Sequence, residues 1–546
     1  MKRYITAAIL TLTAFACTAG ADDWHVNPGE SIQAAINSAI TGDTIHVHAG
    51  TYTENVIVNK TLTLRGDGAD VVTVQASSSS DHVFEVTVDR VNISGFTVTG
   101  ATGSYKAGMY LNRDADHCNI SDNSVSGNYR GIYPHLSDYN TFTNNCASQN
   151  DYGFDLSFSR GNNIIGGNTL TDNGCGIYVF TPMSERYNNS IDTSNTVNGK
   201  PVYYFYDVHD LVISGVDITH LTIASSTNVT VADSSISGGD GVHLGFVSDS
   251  TIIGNTVSDN YRGLFVGGYS HVGPSSEDNI ITGNTFSNSI EEGIRIDTAG
   301  DGIFSDNTIS GNSKDGIYLT NHRSNVFNNN TISDNSGNGV YLNLADDSVL
   351  TNNTISGNGD GIYMRGSTNN TFTSNTISNN GAGLVMAGWS GILTEDNRFY
   401  NNYLANTVNA YDDGTGANAW NTTNTTEVNI VGGPFVGGNY WSDYAGTDAN
   451  GDGFGEAAHT IAGSLNQDYL PLVYAPATCG DITGDGTIDT VDLVLLLKHC
   501  VDPAGNPLAH ECTGDIDGNG HINSLDVLML MGYINNPGGY SLHCGC

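Results

Sequence analysis

Two stretches near the end of the 546-residue chain place oxygen-bearing side chains at the intervals a calcium ion requires. Asp481, Thr483, Asp485, Thr487, Asp489 and Asp492 occupy positions 1, 3, 5, 7, 9 and 12 of one twelve-residue loop. Asp515, Asp517, Asn519, His521, Asn523 and Asp526 repeat the series 34 residues later. Gly486 and Gly520 stand at position 6, where such a loop turns sharply, and position 7 offers its backbone carbonyl. Each loop runs into an apolar stretch in helical register, residues 493–497 and 527–531, so two calcium ions are expected, each at the start of a helix. A third set, Asp448, Asn450, Asp452 and Glu456, has similar spacing, but His459 stands where the last carboxylate is expected. It is readable as one more calcium loop or as a polar turn.

The elements that must carry the rest of the chemistry come from a repeat. Asn-Thr-Ile-Ser or a close variant starts at 307, 330, 353, 375 and 397, at steps of 23, 23, 22 and 22 residues. A fixed period of this kind is one structural unit stacked on copies of itself. A second phrase alternates with it: Gly-Ile-Tyr-Leu at 316, Gly-Val-Tyr-Leu at 339, Gly-Ile-Tyr-Met at 361. Each unit holds short runs of β-formers separated by Asn, Gly, Ser and Asp, and none is long enough for a helix. The fold class that fits is all-β, a right-handed parallel β-helix with one unit per coil. Alternation turns Ile and Leu inward and Tyr outward, while Asn at the bends tolerates left-handed backbone and can stack its amides. Residues 31–40 form the one amphipathic helix of the first half and are expected to cap the open first coil. Residues 195–239 and 403–475 break the period.

Alignment on the glycine of the second phrase places outward residues in columns. One column is an aromatic stripe that includes Tyr110, Tyr133, Tyr178, Tyr318, Tyr341 and Tyr363, beside a charged column that includes Asp360. Rings about 5 Å apart match the repeat of a sugar chain, and equally stabilise a sheet through cross-strand contact. The stripe is interrupted on four successive coils by Asp240 and His243, Arg262, Glu292 and Arg295, and Asp315. Paired carboxylates with a His and two Arg could hydrolyse a glycosidic bond. Glu292 and Asp315 on adjacent coils suit a retaining enzyme, Asp240 and Glu292 two coils apart an inverting one. Ordinary outward-facing charge on a solenoid is the alternative. A longer coil adds the segment 267–278, with His271, as a wall for such a cleft.

With 18 basic against 57 acidic residues, a net charge of −39, the chain cannot assemble a phosphate-neutralising surface, so no nucleic-acid role is expected. Lys2, Arg3, an apolar run and Ala19-Gly20-Ala21 read as a secretory signal peptide over residues 1–21, with Cys17 as an alternative lipid acceptor. No later stretch is apolar enough for a transmembrane segment. His46 and His48 alternate on one expected strand, as metal ligands or as solvated side chains. Several Asn-X-Ser/Thr sequons are compatible with surface glycosylation.

The opening phrase over residues 31–66 resembles that of secreted right-handed β-helix proteins of the pectate-lyase-like superfamily. The phrases at 198–207 and 437–444, with the repeats, resemble the NosD-like β-helix proteins abundant on the surfaces of methanogenic archaea. Asp rather than Glu at position 12, and one helix after each loop, resemble a type I dockerin, with Thr483 departing from the usual Asp or Asn. That resemblance implies a cohesin-bearing scaffold as partner, read by positions 10 and 11 of each loop (Thr490, Val491, Ser524 and Leu525) with Lys498 as a further contact. It also makes a staple from Cys479 to Cys544 or Cys546 reasonable, and a Cys500–Cys512 pair equally so. Residues 293–298 resemble the Gly-x-Arg-Ile-Lys phrase of polygalacturonase-like enzymes, with Asp297 in place of Lys and their other signatures absent. The expected organisation is a signal peptide (1–21), a β-helix (22–402), a C-terminal cap (403–475) and a dockerin (476–546). The expected function is a secreted or surface-displayed protein that binds or processes a polysaccharide or surface glycan and is tethered to a scaffold. A structural surface protein or adhesin, and a hydrolase or lyase, are the other two classes.

Overall fold

The computed structural model describes residues 21–544 except 114, 160, 162, 269–275, 389–390, 414–415, 475–478, 484–486, 504–505, 507, 509–510 and 538. The signal peptide, His271, Asp485 and Cys546 lie outside the described residues. The chain forms a right-handed parallel β-helix in two compact units, one ending at Asp155 and the other beginning at Leu156.

In the first unit the strand Asp23–Val26 is followed in parallel order by Thr44–Val47, Thr63–Gly66, Asn92–Ser94, Asn119–Ser121 and Thr141–Thr143. The helix Ile32–Ser38 has both ends clamped by charge. Glu54 accepts from the amides of Ile32 and Gln33 at 2.9 and 3.0 Å, against the positive end of the helix dipole. Lys60 donates to the carbonyls of Ile36, Asn37 and Ala39 at 2.9, 2.8 and 2.6 Å at the other end. Ile32 and Ile36 are buried.

The second unit contains a nine-stranded parallel sheet from Val212–Ser214 to Arg398–Tyr400. Its coils stack in register: Ile309, Ile332, Ile355 and Ile377 lie over one another, fully buried, as do Ile317, Val340, Ile362 and Leu384. The repeat's asparagines divide into two jobs. Those that open the phrases at 307, 330, 353 and 375 are buried and chain their side-chain amides along the solenoid to Asn402, whereas Asn397, expected to open the fifth phrase, accepts from Asn370 in a separate ladder. The donor–acceptor distances are 3.0 Å from Asn307 to Asn330 and 2.9 Å at each later step through Asn353 and Asn375 to Asn402. Asn312, Asn335, Asn358 and Asn380 form a second ladder. Left-handed backbone falls instead on the exposed residue just before the ladder, Asp306, Asn329 or Asn352, with φ of 55–57°.

The irregular stretch has a physical cause. Thr196–Val197 pairs antiparallel with Lys200–Tyr206 through a turn at Asn198 and Gly199, so the next sheet starts by a reversal rather than by another coil. At the far end parallel pairing runs past residue 402. Val408–Asp412 lies on Ala382–Ala387, and Tyr440–Trp441 on Tyr403–Ala405. Buried Asp468 closes that end by accepting from the amide of Asn439 at 2.7 Å and from Trp441 Nε1 at 2.9 Å. The helices Thr490–Val501 and Ser524–Asn535 pack over a small separate core of Ile482, Leu496, Ile516 and Leu530. A disulfide joins Cys479 to Cys544, so the expected terminal staple forms, whereas Cys500 is a free thiol and the side chain of Cys512 lies outside the described residues.

Candidate functional site

In the duplicated loops the residues spaced for calcium also start the helices. Asp489 caps Thr490–Val501 by accepting from the Val491 amide at 2.7 Å, while Asp492 accepts from the Asp489 amide at 2.9 Å. Asn523 and Asp526 repeat both bonds at 2.9 and 2.8 Å. The position-12 carboxylate reaches back across its loop too, from Asp492 to the Thr483 amide at 2.8 Å and from Asp526 to the Asp517 amide at 3.2 Å. Carboxylate oxygens of Asp515, Asp517 and Asp526 lie within 4.8 Å of one another, with Asp526 fully buried. Three anions at that separation repel unless a cation sits among them, and the all-oxygen donor set fits a hard divalent ion. No other three His, Cys, Asp or Glu donors converge so closely among the described residues. Asp448, Asp452 and Glu456 therefore do not form a comparable cluster. Asp448 instead accepts from the amides of Gly451 and Gly453 at 2.7 and 2.8 Å, as a polar turn does.

On the outward column of the β-helix, Thr222, His243, Phe265, Arg295, Tyr318, Tyr341, Tyr363 and Val385 succeed one another in register. Tyr178 is not among them. After the reversal at residues 196–201 its strand, Cys175–Tyr178, is no longer the coil before His243. The Gly176 and Ile177 amides of that strand donate to the Asp240 carboxylate at 2.5 and 2.8 Å.

The expected catalytic residues fall into three groups. Asp240 accepts from His220 Nδ1 at 2.8 Å, and His220 Nε2 lies 2.8 Å from the Thr222 hydroxyl, all of them little exposed. His243 lies beside this group, its Nε2 2.8 Å from the Tyr187 hydroxyl and its ring stacked on Phe265 at 4.5 Å. Burial pushes the His243 pKa down to about 3, which keeps the imidazole neutral. The cavity they line has a volume of about 30 Å³, room for a water molecule but not a sugar ring.

Arg262, Glu292 and Arg295 form the second group, joined by Asp297. Glu292 pairs with Arg262 at 2.8 Å and Arg295 at 3.5 Å, and Arg295 reaches Asp297 at 3.3 Å while lying 4.9 Å from the centre of the Tyr318 ring. Burial pushes the Glu292 carboxyl up, but the two guanidinium charges outweigh it and hold its pKa below the usual range. Burial raises the pKa of Asp297 against a weaker pull from Arg295. Asp315 stands apart on the next coil, accepting from the Asn338 amide and Nδ2 at 2.7 and 2.8 Å, with burial again raising its pKa. Tyr318, Tyr341 and Tyr363 are half-buried, with centroids 5.1 Å apart and interplanar angles of 88° and 84°. Neighbouring rings thus meet edge to face, a favourable aromatic pairing that does not present three parallel faces. Asp360 accepts from the Ala382 amide at 3.1 Å.

The family model of the periplasmic copper-binding protein NosD matches residues 36–199 and 268–446. The chain belongs to the NosD family. A second family model, the type I dockerin domain, matches residues 479–535. A cell surface glycoprotein of Methanothermus fervidus is 26% identical over 280 residues, 47% of this chain and 46% of its own length. The chain thus spans less than half of that relative. Among solved structures, an Azotobacter vinelandii mannuronan C-5 epimerase A-module aligns at 14% identity over 63% of this chain and 89% of its own, with a TM-score of 0.26. A Paenibacillus alginate lyase aligns at 14% identity over 57% and 95%, with a TM-score of 0.28.

Type I dockerin domains, such as the one matched in this NosD-family chain, bind calcium. The expected reading residues Thr490, Val491, Lys498, Ser524 and Leu525 are all exposed. Exposed apolar residues continue from them along both helices, Val494, Leu497 and Val501 on one and Leu528 and Met531 on the other. Sequence reasoning missed His220 and Tyr187, which come from the irregular stretch and its approach, where no repeat gave a register. Asp297 was visible only as a departure from a borrowed phrase. No helix among the described residues is long and apolar enough to cross a membrane.

Proposed function

We propose that this protein is a secreted or surface-displayed β-helix that engages a polysaccharide or surface glycan and is held by its calcium-loaded dockerin on a cohesin-bearing scaffold. The observation that carries the tether is the convergence of Asp515, Asp517 and Asp526 around the start of the helix Ser524–Asn535, where Ser524 and Leu525 are exposed. In this reading residues 22–402 are the displayed face, 403–475 close it and 476–546 anchor it. Surface placement draws support from the signal-peptide pattern at the chain start and from the similarity to a cell surface glycoprotein. Two calcium ions, one per duplicated loop, are part of the proposal. The test is calcium-dependent capture of the full chain by an immobilised cohesin panel, with Asp526→Ala as the loss-of-site control. Capture that persists in EDTA, or by no cohesin of the panel, would overturn the tether.

One observation supports a second reading, a hydrolase or lyase acting on O-glycosidic bonds. Glu292 is held ionised while Asp297 and Asp315 nearby have raised pKa values, the division of labour an acid and a base need. Incubation with a polysaccharide panel, comparing wild type with Glu292→Gln and Asp297→Asn, decides it. No released oligosaccharide or unsaturated product from wild type ends the enzymatic reading. Absence of glycan binding as well would leave a purely structural surface protein.

A further inference from the structure

The first unit carries a side-chain constellation unrelated to the calcium loops and to the column at 240–363. We propose that His25 and His48 are the primary ligands of a divalent transition-metal ion, with Asp67 orienting His48 from behind. Parallel pairing lays the edge strand Asp23–Val26 on Thr44–Val47 and that strand on Thr63–Gly66, so His25 within the first meets His48 and Asp67, the residues that follow the second and third. His25 Nδ1 lies 3.0 Å from His48 Nε2, and the two rings are within 4° of parallel. His48 Nδ1 lies 3.1 Å from Asp67 Oδ2, which also accepts from the Ala49 amide at 3.1 Å.

These contacts fix the tautomer. An ionised Asp67 keeps the His48 proton on Nδ1, which leaves the Nε2 lone pair aimed at His25. With metal–imidazole bonds of about 2.0–2.1 Å, two cis nitrogens on a four-coordinate ion stand about 2.9–3.4 Å apart, which includes the gap seen here. A carboxylate on the far nitrogen of a ligating imidazole is the arrangement that sets ring orientation and raises ligand basicity. Without metal the same gap is bridged by a proton on His25 Nδ1. On binding, His25 carries its proton on Nε2 instead, and the metal takes the place of the hydrogen bond. His46 stacks 5.2 Å from His25 in the adjacent register position, and its Nε2 lies 3.5 Å from Asp23 Oδ1. A third imidazole and a second carboxylate thus border the site, and the side chains of His46 and His48 remain solvent-accessible at 30% and 38%.

Nitrogen donors select Zn²⁺ or Cu²⁺ over Ca²⁺, whereas the all-oxygen loops at the other end of the chain do the reverse. The two classes of metal should therefore partition without competition. His25 precedes the residues the NosD model matches, and the proposal is independent of glycan binding and of the tether.

Calorimetric titration of the full chain, calcium-saturated, with Zn²⁺ and separately Cu²⁺ at neutral pH is the test, with the Cu²⁺ resonance spectrum read for coupling to nitrogen. The expected result is a nitrogen-ligated site whose affinity falls at least about tenfold in His25→Ala and in His48→Gln, and about tenfold in Asp67→Asn. His209→Ala, at an exposed histidine outside the site, should leave it unchanged. Because the substituted side chains are exposed, an unaltered far-UV spectrum separates lost ligation from lost folding. Wild-type affinity in both His25→Ala and His48→Gln, or no stoichiometric uptake of either ion by wild type, would overturn the assignment.

Discussion

The calcium-loop domain and the β-helix reach order by opposite routes. Among the described residues of 479–544 the buried apolar core is Ile482, Leu496, Ile516 and Leu530, and a disulfide and carboxylate-lined loops complete the domain. The same residues serve stability and the proposed function there: Asp492 and Asp526 each complete a helix capping box and tie a loop, and on the proposed reading each also offers an oxygen to calcium. In the regular coils the work is divided. Inward Ile and Leu columns and buried Asn ladders hold the solenoid, while the outward columns are free to vary. Where stability and function share residues the motif announces the function. Where they separate, repetition conceals it.

Removing calcium should break the comparison most sharply. Without the ion, the carboxylates of each loop repel and the helix starts they cap lose their anchor. EDTA is expected to abolish the helical contribution of Thr490–Val501 and Ser524–Asn535 and all cohesin capture, and to leave the β signal of the coils intact. An unchanged helical signal at 222 nm would refute a calcium-built domain. Next in size is Arg262→Met, which leaves Glu292 buried with only the more distant Arg295 as partner. The expected loss is about 3 kcal/mol in denaturant unfolding. Adding Glu292→Leu should recover much of it, and a double variant no better than the single would count against the ion pair as the cause.

The interior was legible in the sequence because a period fixes phase: once Gly-Ile-Tyr-Leu is aligned, the burial of Ile317 and Leu319 and the outward turn of Tyr318 follow from alternation. The calcium loops were legible for the same reason, since spacing is the function. What spacing could not convey was side-chain partnership. Asp240, Glu292 and Asp315 look equivalent as acids spaced by whole coils, yet the first is tied to His220 and the Cys175–Tyr178 strand, the second to two guanidinium groups and the third to Asn338. The antiparallel turn at 196–201 explains the misplaced Tyr178, because one reversal discards the register carried from earlier coils.

Acid should act first through two buried histidines. His243 in the second unit and His82 in the first are held neutral, with burial pushing their pKa values down to about 3 and about 4. An unfolded chain protonates both near pH 6.5, so below that pH it binds protons the native state does not, and stability falls as pH drops. Each contributes about 1.4 kcal/mol per pH unit until its folded pKa is reached. His243→Phe should flatten the acid limb, measured as midpoint denaturant concentration from pH 7 to pH 4; an unaltered limb would mean another group titrates. Asn353→Ala, in the ladder, should cost less, about 1–3 kcal/mol and without pH dependence, since it leaves the Asn330 and Asn375 amides each short of a partner.

The smallest expected effect discriminates best between the two outward roles of the stripe. Tyr341 lies between Tyr318 and Tyr363 at 5.1 Å, nearly perpendicular to each. If the rings serve the sheet, Tyr341→Ala loses two edge-to-face contacts, about 1–2 kcal/mol in all, and leaves glycan binding as it was. If they serve a ligand, binding falls while unfolding changes little, because a half-exposed ring contributes modestly to the core. Tyr341→Phe sharpens the division: it keeps the ring contacts but removes the hydroxyl, so a binding loss there with full stability assigns the phenol to a sugar. The perpendicular packing favours the first outcome, since two of any three successive rings then present edges in the directions where the third presents its face, and a sugar chain stacking on every coil needs faces.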